Sequence, residues 1–110
     1  MRNSIIELIG SSYDGNIRIW NFHSGILLKI FKICNNRLRE ICMWNNELLV
    51  VGCSDKTIKL IEFKNGKIIK ELKGHKNIVL SIKIIIHPKY GKCLISKGAD
   101  NDAIKLWIIK

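Results

Sequence analysis

Apolar and polar residues alternate in several short segments of the chain. In residues 16–20, Ile17 and Ile19 alternate with polar neighbours, and residues 57–60 repeat this pattern. A period of two places one set of side chains on the buried face of a strand and the other set on a wetter face. Turn-forming Asn, Asp, Gly and Pro residues separate these segments. The pattern predicts ten strands, at about 5–23 (two strands split by a turn at Asp14), 26–32, 38–44, 47–52, 57–63, 67–73, 78–86, 92–96 and 103–109.

One segment also fits a helix. In residues 64–73, Ile68, Ile69 and Leu72 lie opposite a series of lysines, at a spacing that suits an amphipathic helix. The corresponding segment 26–32 of the preceding unit lacks that pattern. We therefore expect a strand at both places.

The sequence repeats itself. Residues 14–20 (DGNIRIW) match residues 55–61 (DKTIKLI), and residues 103–107 (AIKLW) repeat the end of the same pattern. Trp20 and Ile61 are 41 residues apart, and Ile61 and Trp107 are 46 residues apart. A period of this length is typical of a supersecondary unit that cannot bury its apolar face alone and stacks on its neighbours.

The third unit contains Gly74-His75, then Ser96 at the end of an apolar segment, then an acidic turn and Ile104–Trp107. These residues resemble a WD repeat, and the resemblance extends over nearly the whole chain. That family forms β-propellers, in which antiparallel four-stranded blades surround a central channel. The resemblance therefore implies an all-β fold, a WD-repeat (WD40) β-propeller segment that forms an incomplete, open arc.

The same resemblance divides the chain into a partial blade at 1–32, a full blade at 33–73 and a partial blade at 74–110 that lacks its last strand. A propeller needs at least about four blades of about 40–45 residues each. We therefore expect the chain to be a fragment of a larger WD-repeat protein, or to need further blades in cis or in trans to close. An open arc would leave apolar sheet faces uncovered.

In WD repeats a His, a Ser or Thr, an Asp and a Trp form a buried hydrogen-bonded tetrad that holds the blade together. By resemblance, the third unit supplies His75, Ser96, Asp100 and Trp107, although an ungapped alignment places Asn101 at the acidic position. The remaining tetrad residues implied by the resemblance are Asp14 and Trp20 in the first unit and Asp55 in the middle unit. Because the middle unit keeps only the Asp, we expect its blade to depend more on apolar packing.

A His, a Ser and an Asp in one unit also suggest a nucleophilic triad. The sequence contains no G-x-S-x-G elbow, and Ser96 lies in a predicted strand. The structural role is therefore favoured, and we expect no enzyme activity, no catalytic residue and no cofactor. The four cysteines have no C-x-x-C spacing, so neither a metal site nor a disulfide framework is expected.

The formal net charge is +10, and isoleucine (22), lysine (15) and asparagine (10) dominate the composition. One interpretation is that the lysines of residues 56–76 solvate strand faces and keep outer edges from pairing. The other is a basic surface that binds RNA, DNA or an acidic partner. No series of aromatic residues alternates with these lysines as a stacking platform would require. The first interpretation is favoured, and nucleic-acid binding stays open.

No apolar run approaches the ~20 residues that span a membrane, and the N-terminus does not resemble a signal peptide. We therefore expect no membrane partner and an intracellular protein, either cytoplasmic or nuclear.

WD-repeat proteins often bind partners on the face that carries the turns between second and third strands and the loops between blades. By position, the resemblance implies partner-binding candidates at Tyr13, Ser54, Arg37, Arg39, Lys76 and Leu80. The expected function is a non-catalytic scaffold for protein–protein interaction. The alternative is a basic propeller segment that binds RNA or an acidic partner in a ribonucleoprotein or chromatin assembly.

Overall fold

A computed structural model of the protein describes residues 7–11, as backbone, and residues 13–109. This part of the chain contains ten β-strands and no helix. The strands are β1 (Glu7–Ser11), β2 (Asn16–Asn21), β3 (Leu27–Lys32), β4 (Leu38–Met43), β5 (Leu48–Cys53), β6 (Thr57–Glu62), β7 (Ile68–Lys73), β8 (Val79–His87), β9 (Gly91–Gly98) and β10 (Ile104–Trp107). The prediction of an all-β fold is confirmed, and β7 occupies the segment that also fitted a helix. Residues 5 and 6 of the first predicted strand lie outside the described residues.

The strands form three antiparallel sheets that follow the chain order. The first sheet contains β1-β2-β3, the middle sheet β4-β5-β6-β7 and the third sheet β8-β9-β10. Every strand pairs with its sequence neighbour inside a sheet. Because successive strands reverse direction, the connecting segments alternate between the two ends of the sheets.

The middle sheet is covered on both sides, which explains the nearly continuous apolar sequence of β5. One core lies between the first and middle sheets, where Ile17 and Ile19 pack against Leu49 and Ile61. A second core lies between the middle and third sheets and includes Leu60 and other buried residues, namely Val50, Ile58, Val79, Ile82 and Leu94. Burial of each such side chain contributes about 1.5–3 kcal/mol, so the sheets stabilise one another.

The two inner strands, β4 and β8, are joined by a hydrogen bond between sheets. The backbone N–H of Ile82 in β8 donates to Oε1 of Glu40 in β4, at 2.7 Å. Each inner strand also contains a β-bulge near its start, at Arg39 in β4 and at Leu80 in β8. A bulge redirects the side chain of the extra residue. The bulges therefore place Arg39 and Leu80 at equivalent positions on neighbouring sheets.

The third sheet has an apolar face that no other described part of the chain covers. Ile104 and Leu106 of β10 are 67% and 45% exposed. Ile58 and Leu60, at the corresponding positions of the middle sheet, are 0% and 2% exposed because the third sheet covers them. Among the residues that the structure describes, no helix is long and apolar enough to cross a membrane.

Candidate functional site

Four side chains form a hydrogen-bonded chain through the third sheet. Trp107 Nε1 lies 2.7 Å from Ser96 Oγ, Ser96 Oγ lies 2.6 Å from His75 Nε2, and His75 Nδ1 lies 2.8 Å from Asp102 Oδ2. An indole N–H only donates and a carboxylate only accepts. In the neutral imidazole tautomer with its proton on Nδ1, the donors run in one direction: the indole donates to the hydroxyl, the hydroxyl to Nε2, and the Nδ1–H to the carboxylate.

The acidic member of this chain is Asp102, so the assignment of Asp100 from the sequence is wrong. The backbone turns sharply from Ala99 to Asp102, closed by the Asp102 N–H donating to the Ala99 carbonyl at 3.1 Å. Asp100 lies at the corner of this turn with a left-handed φ of 57° and accepts a hydrogen bond from Asn77 Nδ2. The turn therefore directs Asp102, and not Asp100 or Asn101, toward the imidazole.

The Asp102 carboxylate is held by four donors. Oδ2 accepts from the His75 ring and from the backbone N–H groups of Lys76 and Asn77, and Oδ1 accepts from the N–H of Ala103. Burial raises the pKa of this carboxyl, but the hydrogen bonds from His75, Asn77 and Ala103 lower the pKa more, so it lies below its usual value.

The Asp102 carboxylate packs directly against the backbone of Gly98. A Cβ atom on Gly98 would lie 2.1 Å from Asp102 Oδ2, which no side chain tolerates. The absence of a side chain at position 98 therefore leaves the space that the Asp102 carboxylate occupies in the hydrogen-bonded chain.

The hydrogen-bonded chain has the atom order of a nucleophilic triad, but it does not favour catalysis. Ser96 is 1% exposed, and its oxygen already accepts the indole N–H of Trp107. A cleft at this end of the sheet has a volume of about 290 Å³ and is lined by Lys76, Asn77 and residues 99–102, not by Ser96. A substrate in that cleft would not reach the hydroxyl, so the geometry supports a structural role.

The middle sheet contains a buried ion pair where the third sheet has the hydrogen-bonded chain. Lys59 is 2% exposed, and its Nζ lies 2.6 Å from Asp55 Oδ2 and 3.6 Å from Glu71 Oε2. Asp55 also accepts from the backbone N–H and the hydroxyl of Thr57. Burial lowers the pKa of the Lys59 ammonium, but the bond to Asp55 and neighbouring negative charges raise it more, so its pKa lies above the usual value. The middle sheet therefore contains a charge pair in addition to its apolar packing.

Sequence reasoning missed the role of Lys59, although the sequence contains a signal. Asp55 and Lys59 are four residues apart across the turn, and Asp14 and Arg18 have the same spacing. Arg18 forms the equivalent ion pair, with its guanidinium 2.8 Å from the Asp14 carboxylate. Trp20 is half-buried at the end of β2, where its Cα pairs with that of Leu8. The structure therefore pairs the Asp14 carboxylate with Arg18, as it pairs the Asp55 carboxylate with Lys59.

The partner-binding candidates lie at one end of the sheets, which we call the turn face: residues 13–15, 33–37, 54–56, 74–78 and 99–103. Tyr13 and Arg37 are brought into contact there, with the guanidinium carbon 4.2 Å from the ring centre. Tyr13 is 75% exposed. Ser54 lies beside them, because its backbone N–H donates to the Arg37 carbonyl at 3.0 Å.

The other three candidates are distributed over two sheets. Arg39 and Leu80 occupy the equivalent bulges of β4 and β8. Lys76 lies on the turn face of the third sheet, where its backbone N–H donates to Asp102. The structure therefore places Tyr13, Arg37, Arg39 and Ser54 together at the first two sheets, and it places Lys76 and Leu80 on the third. Within the described parts of the chain, no group of three or more His, Cys, Asp or Glu residues is arranged to hold a metal ion.

Stacked antiparallel sheets of one repeat, with a His–Ser–Trp hydrogen-bonded chain, define a β-propeller segment, and comparison with known proteins identifies the family. The family model of the Anaphase-promoting complex subunit 4 WD40 domain matches residues 29–89, which is more than half of the chain. The chain therefore belongs to the WD40 β-propeller family.

Individual relatives agree with this membership. The chain is 27% identical over 100 residues to the U3 small nucleolar RNA-associated protein 21 homolog of Schizosaccharomyces pombe, which covers 91% of the chain and 11% of that protein. It is 33% identical over 97 residues to the WD repeat domain-containing protein 83 homolog of Dictyostelium discoideum, covering 87% of the chain and 29% of that protein. The chain thus spans less than a third of the length of these curated relatives.

Solved structures show the same fold. The WD40 β-propeller domain of Doa1 superposes with a TM-score of 0.81 at 23% sequence identity, over 93% of this chain and 32% of that one. The prediction of a WD40 propeller segment is confirmed.

Proposed function

We propose that this protein is a non-catalytic scaffold that binds protein partners through its turn face. The observation that carries the proposal is the contact between Tyr13 and Arg37, in which an exposed aromatic ring and a guanidinium group lie together at one end of the sheets. Tyr and Arg are among the residue types that most often anchor protein interfaces. WD40 propellers are in general scaffolds without catalytic activity, and the buried Ser96 supports the same conclusion here.

We also propose that the three sheets are blades, divided at 1–32, 33–73 and 74–110, and that a further blade of the same repeat covers the third sheet. The support is internal: the face formed by Ile104 and Leu106 is exposed, whereas the same face of the other two sheets is buried by the next sheet. Such a blade would be supplied in cis by a longer protein, of which this chain is then a fragment, or in trans.

Site-specific photo-crosslinking tests the scaffold function. A photoreactive phenylalanine analogue at Tyr13 samples the turn face, and the same analogue at Tyr90 samples the opposite end of the sheets, where a tyrosine is also exposed. The proposal predicts crosslinks to protein from position 13 that resist ribonuclease and are absent from position 90. Equal crosslinking from both positions, or crosslinking from position 90 alone, would contradict it.

A second candidate function is that of a basic propeller segment in a ribonucleoprotein assembly. The net charge of +10 supports it, as does similarity to a protein whose name associates it with the U3 small nucleolar RNA. Its binding to RNA would weaken steeply with added salt, because each phosphate contact releases counterions. A salt titration with single-stranded RNA measures this slope, and absent or salt-insensitive binding would exclude the candidate.

A further inference from the structure

One part of the turn face carries cationic groups without a carboxylate partner. We call it the Tyr13–Arg37 cluster, and it consists of Tyr13, Arg37, Arg39, Ser54 and Lys56. None of its three cations forms an ion pair with a carboxylate among the described residues. Arg37 and Lys56 are exposed, and Arg39 is half-buried at its bulge. The cluster is therefore a local excess of positive charge.

Three carboxylates adjoin this cluster along the chain, and each already has a partner. Glu40, which follows Arg39, accepts the backbone N–H of Ile82 in β8. Asp14, which follows Tyr13, is bound by Arg18 at 2.8 Å, and Asp55, which follows Ser54, is bound by Lys59 at 2.6 Å. Both carboxylates thus have cationic partners of their own. The situation differs on the third sheet, where Lys76 shares a cleft with Asp100 and Asp102. The positive charge is consequently concentrated at the first two sheets.

Two polar atoms of the cluster are buried and have no hydrogen-bond partner among the residues that the structure describes. These atoms are Arg39 Nε, which only donates, and Ser54 Oγ, which both donates and accepts. Buried polar atoms in folded proteins are nearly always paired, so each such exception requires an explanation. Hydrogen bonds from an arginine guanidinium to a carboxylate are among the strongest that proteins form, and the exposed guanidinium of Arg37 is the group that a partner's carboxylate reaches first.

We propose that the Tyr13–Arg37 cluster binds an acidic segment of a protein partner, with Asp or Glu carboxylates against Arg37 and Arg39. This inference rests on the proposed scaffold function and adds the chemistry of the partner. A peptide is favoured over RNA because the cluster has a single aromatic ring, which Arg37 already contacts. Proteins that bind single-stranded nucleic acid combine a basic groove with several aromatic rings on which successive bases stack.

Fluorescence anisotropy with labelled peptides tests the inference. The probes are a short peptide of alternating Glu and Ser and its counterpart with Gln in place of Glu, measured at fixed ionic strength. The Glu peptide is expected to bind, and the Gln peptide is expected to bind about 10-fold to 100-fold more weakly. Arg37→Gln is expected to weaken binding of the Glu peptide by a similar factor.

The matched control is Lys89→Gln. Lys89 also lies over a tyrosine ring, that of Tyr90 at 5.3 Å, but at the opposite end of the sheets. This substitution removes the same unit of charge beside an aromatic ring, so it is expected to leave peptide binding unchanged. Thermal unfolding of both variants shows that the exposed substitutions leave the fold intact.

Four results would overturn the inference. Equal binding of the Glu and Gln peptides at the turn face would leave the scaffold function standing and remove the acidic preference. Absent binding of the Glu peptide would remove the acidic segment as the ligand. If Arg37→Gln and Lys89→Gln weakened binding of the Glu peptide equally, the net charge of the protein, and not the Tyr13–Arg37 cluster, would explain the binding. Tighter, Arg37-dependent binding of single-stranded RNA than of the Glu peptide would replace the protein ligand by a nucleic acid.

Discussion

Removing the Ser96 hydroxyl is the sharpest test of the hydrogen-bonded chain. Ser96→Ala deletes the atom that lies between His75 Nε2 and Trp107 Nε1, 2.6 and 2.7 Å away. Both nitrogens then lose their partner inside the sheet packing. A buried polar group that loses its partner costs about 1–3 kcal/mol. Because Trp107 is only half-buried, we expect a total loss of about 2–4 kcal/mol in the free energy of unfolding.

Ser54→Ala is the matched control, because it makes the same chemical change elsewhere. Ser54 Oγ is also buried but has no hydrogen-bond partner among the described groups. Removal of this hydroxyl leaves no other described polar atom without a hydrogen-bond partner, so the free energy of unfolding is expected to stay within about 0.5 kcal/mol of the wild-type value.

Thermal and urea unfolding of the three proteins measure the difference. The loss predicted for Ser96→Ala corresponds to a fall in Tm of about 10–25 °C for a chain of this size. NMR gives an independent readout, since the indole N–H of Trp107 should exchange slowly in the wild type and quickly in Ser96→Ala. Equal destabilisation by Ser96→Ala and Ser54→Ala, or an unchanged exchange rate, would refute the reasoning.

Three further predictions concern Asp102, Lys59 and the buried thiol of Cys53. Asp102→Asn should destabilise the protein more than Asp100→Asn at neutral pH. Because the fold lowers the pKa of Asp102, this difference in the free energy of unfolding is fully present above the usual carboxyl pKa of about 3.9 and disappears as the pH falls through the lower folded pKa. Acid unfolding of both variants measures the difference. Equal destabilisation by the two substitutions would contradict the assignment of Asp102. Lys59→Met should lower the free energy of unfolding by about 1–3 kcal/mol. A double-mutant cycle with Asp55→Asn should show a coupling energy between the two positions, and additive effects would argue against the ion pair. Burial raises the pKa of the Cys53 thiol to about 12, so maleimide should label this thiol only after unfolding, and rapid labelling at pH 7 would be inconsistent with its burial.

The strands were predictable because the alternation of Ile with polar residues has a period of two and recurs along the chain. The repeat also indicated the stacking, since a single unit exposes an apolar face. Three members of the hydrogen-bonded chain, His75, Ser96 and Trp107, followed from resemblance to WD repeats. These features depend on residue patterns that recur along the chain, and such patterns are visible in the sequence itself.

The acidic member was not predictable from spacing. Which carboxylate reaches His75 depends on the backbone of the turn: the left-handed φ of Asp100 and the missing side chain at Gly98 together bring Asp102 to the ring. A difference of two residues in a turn changes the direction of a side chain completely. Pattern alone does not fix such a turn.

Lys59 was placed on a wetter face by the alternation, yet it is buried. The reason is that neighbouring sheets cover both faces of the middle sheet, so polar positions of β6 also lie inside. The contact between Tyr13 and Arg37 joins two different sheets and has no local signal at all. Both features depend on tertiary packing.

Amide hydrogen exchange, resolved to single residues, tests the central claim that three repeat sheets stack in chain order. Strands β5 and β6 are central in a sheet that is covered on both faces, so their amides should exchange most slowly. Among the described strands, β10 lies at the edge of its sheet and no other sheet covers its face, so its amides should exchange much faster. Equal rates in β6 and β10, or unbroken helix-like protection through residues 64–73, would contradict the account.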